Sequence, residues 1–230
     1  MDLLKEIIGA ISPLEWAGAV TGAIAVYLAV RTSIWTWAWG FVNVLIYGYV
    51  FYEYKLYSSM ALFLLYFLPM QFYGYWSWRK AGSTEDALPV TRTGVVGLLP
   101  YLGGAALFTA GWGYLMASSN AALPYVDAFQ TGLSVVAQYL MARKKVESWW
   151  LWIVVDLICA LYLYPAQKLF VTAGLFLIYL VLATMGLLEW QKLYRAQETL
   201  PDTKAVEDAV QSPPKIPEKE NNIAGSQPDR

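Results

Sequence analysis

The sequence predicts an all-α membrane protein of seven transmembrane helices, built as two parallel three-helix bundles joined by a central linker helix, a 3+1+3 order. Three observations predict it: the composition, seven apolar spans, and an internal repeat. Of 230 residues, 58% are apolar and 16% aromatic, against only 14% charged. Soluble chains carry about 25% charged residues, so this one is a membrane protein by composition. Its 11 Trp and 17 Tyr suit rings that sit at membrane interfaces or line a polar path between apolar helices.

A bilayer core about 30 Å thick takes about 17 to 25 helical residues to cross. Seven stretches fit, at 14–30, 34–52, 59–78, 95–116, 125–141, 149–164 and 169–190. Pro13 and Pro124 open the first and fifth, where a missing N–H is harmless. Pro69 lies inside the third, removes a helix hydrogen bond, and is a candidate bend for alternating access. Ahead of the first span, "MDLLKEIIGAIS" has one lysine, two acids and no cleavage-like site, and reads as a short interfacial helix. Beyond Ala196 the chain is polar, proline-rich and nearly free of aromatics, which predicts a disordered tail. The expected organisation is an interfacial segment (1–12), a first bundle (13–80), a linker with the fourth helix (81–123), a second bundle (124–195) and the tail (196–230).

Several chemistries are excluded. There is no histidine, and no GxxxxGK[ST], CxxC or HExxH motif occurs, so neither a haem ligand, a Ser-His-Asp triad, ATP hydrolysis nor a metal centre has a seat. No cofactor and no metal are expected, and no enzymatic activity. The single cysteine, Cys159, lies in an apolar run as a small core residue. A net charge of -1 offers nothing to nucleic acid. The partners expected are a small-molecule substrate and the lipid bilayer, with a homo-oligomer left open.

Basic residues flanking the spans set the orientation. One side collects Arg31, Arg79, Lys80, Arg92, Arg143, Lys144, Lys145, Lys192 and Arg195, and the other Lys5, Lys55 and Lys168. The richer side is expected to be cytoplasmic, with the N-terminus outside and the tail inside.

The repeat appears when "WAWGFVNVLIYGYVFYEYKLY" is laid over "WLWIVVDLICALYLYPAQKLF" at an offset of 113. Trp37 then falls on Trp150, Trp39 on Trp152, Asn43 on Asp156, Tyr49 on Tyr162, Lys55 on Lys168 and Leu56 on Leu169; Phe63 and Tyr66 follow, on Phe176 and Tyr179. After a one-residue slip Gly74 falls on Gly186 and Trp78 on Trp190, while upstream Glu15, Tyr27, Leu28 and Arg31 fall on Asp127, Tyr139, Leu140 and Arg143 at an offset of 112. Two triplets of helices can share one orientation only if a further helix lies between them, and the fourth span supplies it.

Asn43 lies about ten residues into its span and Asp156 about eight, which at about 1.5 Å per residue puts both near the bilayer centre. They are expected to face one another. A carboxylate at that depth is costly unless paired or hydrated, and marks a substrate or ion path. No basic residue lies at mid-span to neutralise Asp156. Trp149, Trp152 and Asp156 at i, i+3, i+7 share a helix face, and Trp39 with Asn43 repeats part of it. Rings beside a carboxylate and a carboxamide suit a flat, cationic heterocycle carrying hydroxyls. Gln138, Gln71 and Tyr73 complete the candidate substrate-binding set. Trp149, at a helix end, also reads as an interfacial anchor.

"EWAGAVTG", "GFVNVLIYGYVFYEYKLY", "YGYWSW", "DAFQTGLSVVAQYLMARKKVESWWLWIVVDLICALY" and "IYLVLATMGLLEWQK" together resemble the PnuC family of vitamin transporters over residues 12–195. The resemblance implies the 3+1+3 bundle of SWEET-like proteins and a vitamin substrate. Nicotinamide riboside, cationic at its pyridinium ring, comes first; thiamine, riboflavin and deoxynucleosides are implied for related branches. It further implies facilitated diffusion, with a cytosolic kinase trapping the product by phosphorylation. Two alternatives stand beside this reading: a thiamine transporter of the same family, and a proton-coupled carrier using Asp156.

Overall fold

The computed structural model describes residues 12–53, 60, 62–80, 88–118, 123–166 and 170–199. The expected interfacial segment up to residue 11, the tail beyond residue 199, and the Lys55–Lys168 and Leu56–Leu169 matches lie outside the described residues. Seven helical segments are described: α1 (Pro13–Val30), α2 (Trp35–Glu53), α3 (Leu68–Lys80), α4 (Gly94–Ala117), α5 (Pro124–Ala142), α6 (Glu147–Ile158) and α7 (Phe170–Thr199). Among the described residues there is no β-strand, only an isolated bridge between Thr91 and Lys145.

α1 starts on a capping box: Glu15 N donates to Ser12 Oγ at 3.2 Å and Ser12 N donates to Glu15 Oε2 at 2.9 Å, with Pro13 at the first helical position. Ser12→Ala is therefore expected to cost about 1 kcal/mol. A thermal melt of the detergent-solubilised protein checks it, and an unchanged Tm would show that the cap contributes nothing.

Two helices are interrupted by π turns. One, Phe63–Phe67, runs directly into α3, with Leu68 N–H donating back five residues to Phe63 O. Pro69 explains it: its ring removes the next donor, and the wider turn re-routes the backbone around the gap. The other, Cys159–Leu163, ends α6 and is followed by a single turn, Tyr164–Ala166. These breaks bear on the seven expected spans. Among the described residues three helical stretches, Pro13–Val30, Gly94–Ala117 and Thr172–Thr199, are both long and apolar enough to cross a membrane on length and composition. α3 and α6 are cut short, at 13 and 12 residues, while α2 and α5 are diluted by Asn, Gln, Tyr and Trp. α7 runs on to Thr199, beyond the expected end at 190, because Trp190 marks the end of the apolar stretch and not of the helix-forming residues "QKLYRAQET".

The repeat is visible in the backbone, at an offset of 112 where α1 turns into α2 and α5 into α6. Before α2, Arg31 N donates to Tyr27 O (3.2 Å), Thr32 N to Ala29 O (3.0 Å) and Ser33 N to Leu28 O (2.9 Å). Before α6, Arg143 N donates to Tyr139 O (3.2 Å), Lys144 N to Met141 O (3.0 Å) and Lys145 N to Leu140 O (2.9 Å). Thr32 and Lys144 share the left-handed conformation, at φ 51° and 48°, an uncommon one for side chains with a Cβ. Trp37 packs into the face of Gly74 and edge-on to Trp78 at 5.3 Å and 88°; Trp149 packs into Gly186 and edge-on to Trp190 at 5.5 Å and 88°.

The structure thus corrects the register in the second helix. Trp37 corresponds to Trp149, not Trp150, and Asp156 corresponds to Val44, not Asn43; Val44 and Asp156 are each 4% exposed. The tryptophan doublet Trp149-Trp150 accommodates W-x-W in either register, and the chemical likeness of Asn to Asp favours the wrong one.

α1 packs on α2, α2 on α3, α3 on α5, and α5 on both α4 and α6. α7 closes the arrangement through Trp190, whose Nε1 donates to Ala29 O on α1 at 3.1 Å and whose ring meets Trp78 of α3 at 6.1 Å. Tyr66 adds a link from the π turn to α5, donating to Val135 O at 2.6 Å. A core of Trp37, Trp78, Trp149 and Trp190 with Ala29, Val30, Met141 and Leu187 is buried at this end. A second core, around Leu133, Leu140, Leu151 and Val155, lies among α4, α5 and α6. The bridge fixes where α4 begins: Thr91 N donates to Lys144 O and Val146 N to Thr91 O, both at 3.0 Å, while Glu147 Oε1 accepts from Thr93 N and Gly94 N.

Some of the basic residues lie over aromatic rings. Arg92 lies 5.0 Å over the Tyr194 ring, and Lys144 4.7 Å over the ring of Trp78. Burial lowers the pKa of the Lys144 ammonium, and the facing indole offsets part of that desolvation.

Candidate functional site

The polar side chains of α1, α2 and α3 are gathered around small residues. Asn43, half-buried on α2, donates from Nδ2 to Gly18 O at 2.7 Å and to Thr21 Oγ1 at 3.2 Å. Thr21 in turn donates to Ala17 O at 2.7 Å. Gly22, one turn on, is the meeting point: a Cβ there would collide with the Tyr179 hydroxyl of α7 and come within 3.0 Å of Asn43 Nδ2. The absence of a side chain on Gly22 thus lets a group from α7 approach the amide on α2. Gln71, 6% exposed on α3, donates from Nε2 to Phe67 O at 3.2 Å, and its Oε1 lies against Gly40, one turn from Asn43.

Asp156 lies on α6, 4% exposed, and makes no hydrogen bond among the described residues. The Tyr179 phenol and the Cys159 thiol are within electrostatic reach of it. Tyr179 therefore meets Asn43 at Gly22 and lies within electrostatic reach of Asp156. No group of three or more metal-ligating side chains exists among the described residues. A carboxylate, a carboxamide, phenols and indoles, with no activated nucleophile, can hold and orient a ligand by charge and hydrogen bonding, and do not assemble a reaction centre.

The other sequence-predicted residues divide. Trp152 is half-buried and packs against both cores, one turn from Asp156. Tyr73, half-buried on α3, stacks on Tyr139 of α5 at 6.4 Å and 7°. Gln138 is half-buried beside Tyr139 on α5. Trp149 is 1% exposed and T-stacked on Trp190, a core residue and not an interfacial anchor. Trp39 is 38% exposed and lines an open groove with Trp35, Ala38 and Val42.

Thr21, Gly22, Gly40 and Tyr179 were not among the expected site residues. Gly18 and Gly22 form a small-x-x-x-small pair on α1, the spacing that lets helices approach closely, and this was the available signal. Tyr179 had none, because its role comes from a helix more than 130 residues away from Asn43.

With this geometry in view, the comparisons are consistent. The family described as nicotinamide mononucleotide transporter matches residues 12–192. The nicotinamide riboside transporter PnuC of Neisseria mucosa is 28% identical over 216 residues, covering 84% of this chain and 78% of its own. PnuC of Escherichia coli is 24% identical over 206 residues, 78% of this chain and 85% of its own. The riboflavin/roseoflavin transporter RibM of Streptomyces davaonensis is 26% identical over 182 residues, 76% and 83% of the two chains. A crystal structure of the vitamin B3 transporter PnuC superposes with a TM-score of 0.67 at 29% identity, covering 84% of this chain and 87% of that one. These relatives are transporters and not enzymes, and the all-helical fold with its apolar helices is that of a multi-pass protein of the bacterial inner membrane. The chain belongs to the nicotinamide mononucleotide transporter family.

Proposed function

We propose that this protein carries nicotinamide riboside across the membrane by facilitated diffusion, in a 3+1+3 arrangement whose two triplets, α1–α3 and α5–α7, enclose the path. The observation that carries the reading is Asp156: a carboxylate in the middle of an apolar run, buried and without a hydrogen-bond partner among the described residues, within electrostatic reach of Tyr179. A cationic pyridinium supplies the missing counter-charge. The riboside hydroxyls suit Asn43 and Gln71, and Trp152 offers a ring for stacking. Gln138 and Tyr73 extend the polar lining on the α3–α5 side. The basic cluster of Arg92, Arg143 and Lys144 marks the cytoplasmic end, so the N-terminus is outside and the C-terminus inside. Phosphorylation by a cytosolic kinase then keeps the product from returning.

Proteoliposomes test this reading. Labelled nicotinamide riboside is expected to enter saturably, with no nucleotide and no ion gradient, and to exchange against unlabelled riboside inside. Absence of saturable flux under those conditions would sink the uniport mechanism. Uptake that acidifies the lumen would replace it with proton coupling through Asp156. Thiamine added in excess should compete weakly, and stronger competition by thiamine than by unlabelled riboside would reassign the substrate.

A further inference from the structure

Asp127 stands in the first turn of α5, about 24 Å along that helix from the basic residues at its other end. Its repeat counterpart, Glu15, serves a helix cap. Asp127 does not: α5 begins at Leu123 without a side-chain cap, and Asp127 Oδ1 instead accepts from Gln130 Nε2 at 3.1 Å. Gln130 Nε2 also donates to Thr131 Oγ1 at 3.0 Å, and Gln130 Oε1 lies 3.9 Å from Cys159 Sγ. Cys159 follows Asp156 by three residues, so the two share a face of α6, and both Asp127 and Asp156 are within electrostatic reach of its thiol. A series of polar groups thus runs from exposed Asp127 through Gln130 and Cys159 towards buried Asp156.

The other half of the repeat lacks it. Gly18 occupies the position of Gln130, Tyr47 that of Cys159, and Val44 that of Asp156, and the Tyr47 ring packs into the space left by Gly18. The first triplet is plugged by a phenol and ends on an apolar residue. The second has a carboxamide and a small thiol in the same places and ends on a carboxylate. The π turn beginning at Cys159 widens α6 at this point.

We propose that Asp127, Gln130 and Cys159 form a cation-selective entry lane in the second triplet, leading an organic cation from the membrane face opposite the basic cluster to Asp156. The proposal rests on Asp156 being the binding carboxylate, but not on which cation is carried. The exposed acid raises the local concentration of cations, the Gln130 carboxamide replaces water around them, and the thiol is small enough to let a ring pass.

Cys159 is the only cysteine in the chain, which makes the lane directly measurable. It is buried in this structure, so a reagent reaches it only when the lane opens. Right-side-out cells expressing the full chain are treated with two membrane-impermeant thiosulfonates of similar size, one trimethylammonium and one sulfonate, and labelling is followed by mass. Relative to their rates with a free thiol in water, the cationic reagent should label about tenfold faster, as field focusing by a carboxylate allows. Asp127→Asn should bring that ratio towards one and Asp127→Glu should preserve it, which separates the loss of charge from misfolding. Equal normalised rates in the parent protein, no labelling at all, or a ratio indifferent to Asp127→Asn would overturn the lane. Nicotinamide riboside should slow labelling; charge-selective labelling without that protection leaves the lane standing and counts against the substrate reading.

Discussion

Replacing Gly186 with leucine is expected to lower the stability of the folded protein more than any other single change on α7. A Cβ at Gly186 comes within 2.5 Å of Trp149 Cζ2 and 2.6 Å of two further indole carbons, so even alanine displaces the ring. The ring cannot yield cheaply. Trp149 is 1% exposed and held edge-on by Trp190, which is itself fully buried and bonded to Ala29 O. Overpacking of this kind costs about 1–3 kcal/mol and at times more. The loss should appear as a Tm decrease of several degrees and a smaller monodisperse fraction on gel filtration. Gly74→Leu should behave alike, because Trp37 meets Gly74 as Trp149 meets Gly186. If either variant melted with the parent protein, the indole sockets would not be holding α2 on α3 and α6 on α7.

The second large effect concerns transport and not stability. Asp156→Leu should raise the KM for nicotinamide riboside roughly ten- to hundredfold, the range expected when a charged partner is withdrawn from a buried ligand. Its thermal stability should hold or rise, since a buried carboxylate without a hydrogen bond is costly to the fold. That opposite sign distinguishes a binding group from a structural one. Asn43→Leu should reduce both uptake and Tm, because Asn43 also ties α2 to Gly18 O and Thr21 on α1. A drop in Tm for Asp156→Leu equal to that for Asn43→Leu would mean that the carboxylate serves packing, and that the path runs elsewhere.

Much of this was legible from the chain alone, for identifiable reasons. Helix positions followed from apolar length and from Pro13 and Pro124, since these depend on neighbours in sequence. The π turn before Pro69 follows from a missing donor, yet its form depends on how the flanking backbone re-pairs, which composition does not encode. Asp156 was conspicuous because a carboxylate in hydrocarbon is costly wherever the helix packs. Its relation to Asn43 was misread because chemical similarity outweighed the packing equivalence of Trp37 and Trp149, which only the sockets at Gly74 and Gly186 reveal. Trp39 shares a helix face with Asn43 by spacing, but spacing does not fix how exposed a ring is, and this one is 38% exposed. Gly22 and Tyr179 needed the fold, since a contact between the first and last helices has no local signature.

The row of indoles also gives the molecule an optical gauge. Trp78 belongs to α3 and Trp190 to α7, and their ring centres are 6.1 Å apart, each flanked by its own edge-on partner. At that distance the excited states of neighbouring rings couple, and the near-ultraviolet circular dichroism of the unlabelled protein carries their signature. A change in the separation of α3 and α7 would alter this contact, and the spectrum would report it as a ruler laid between the two helices.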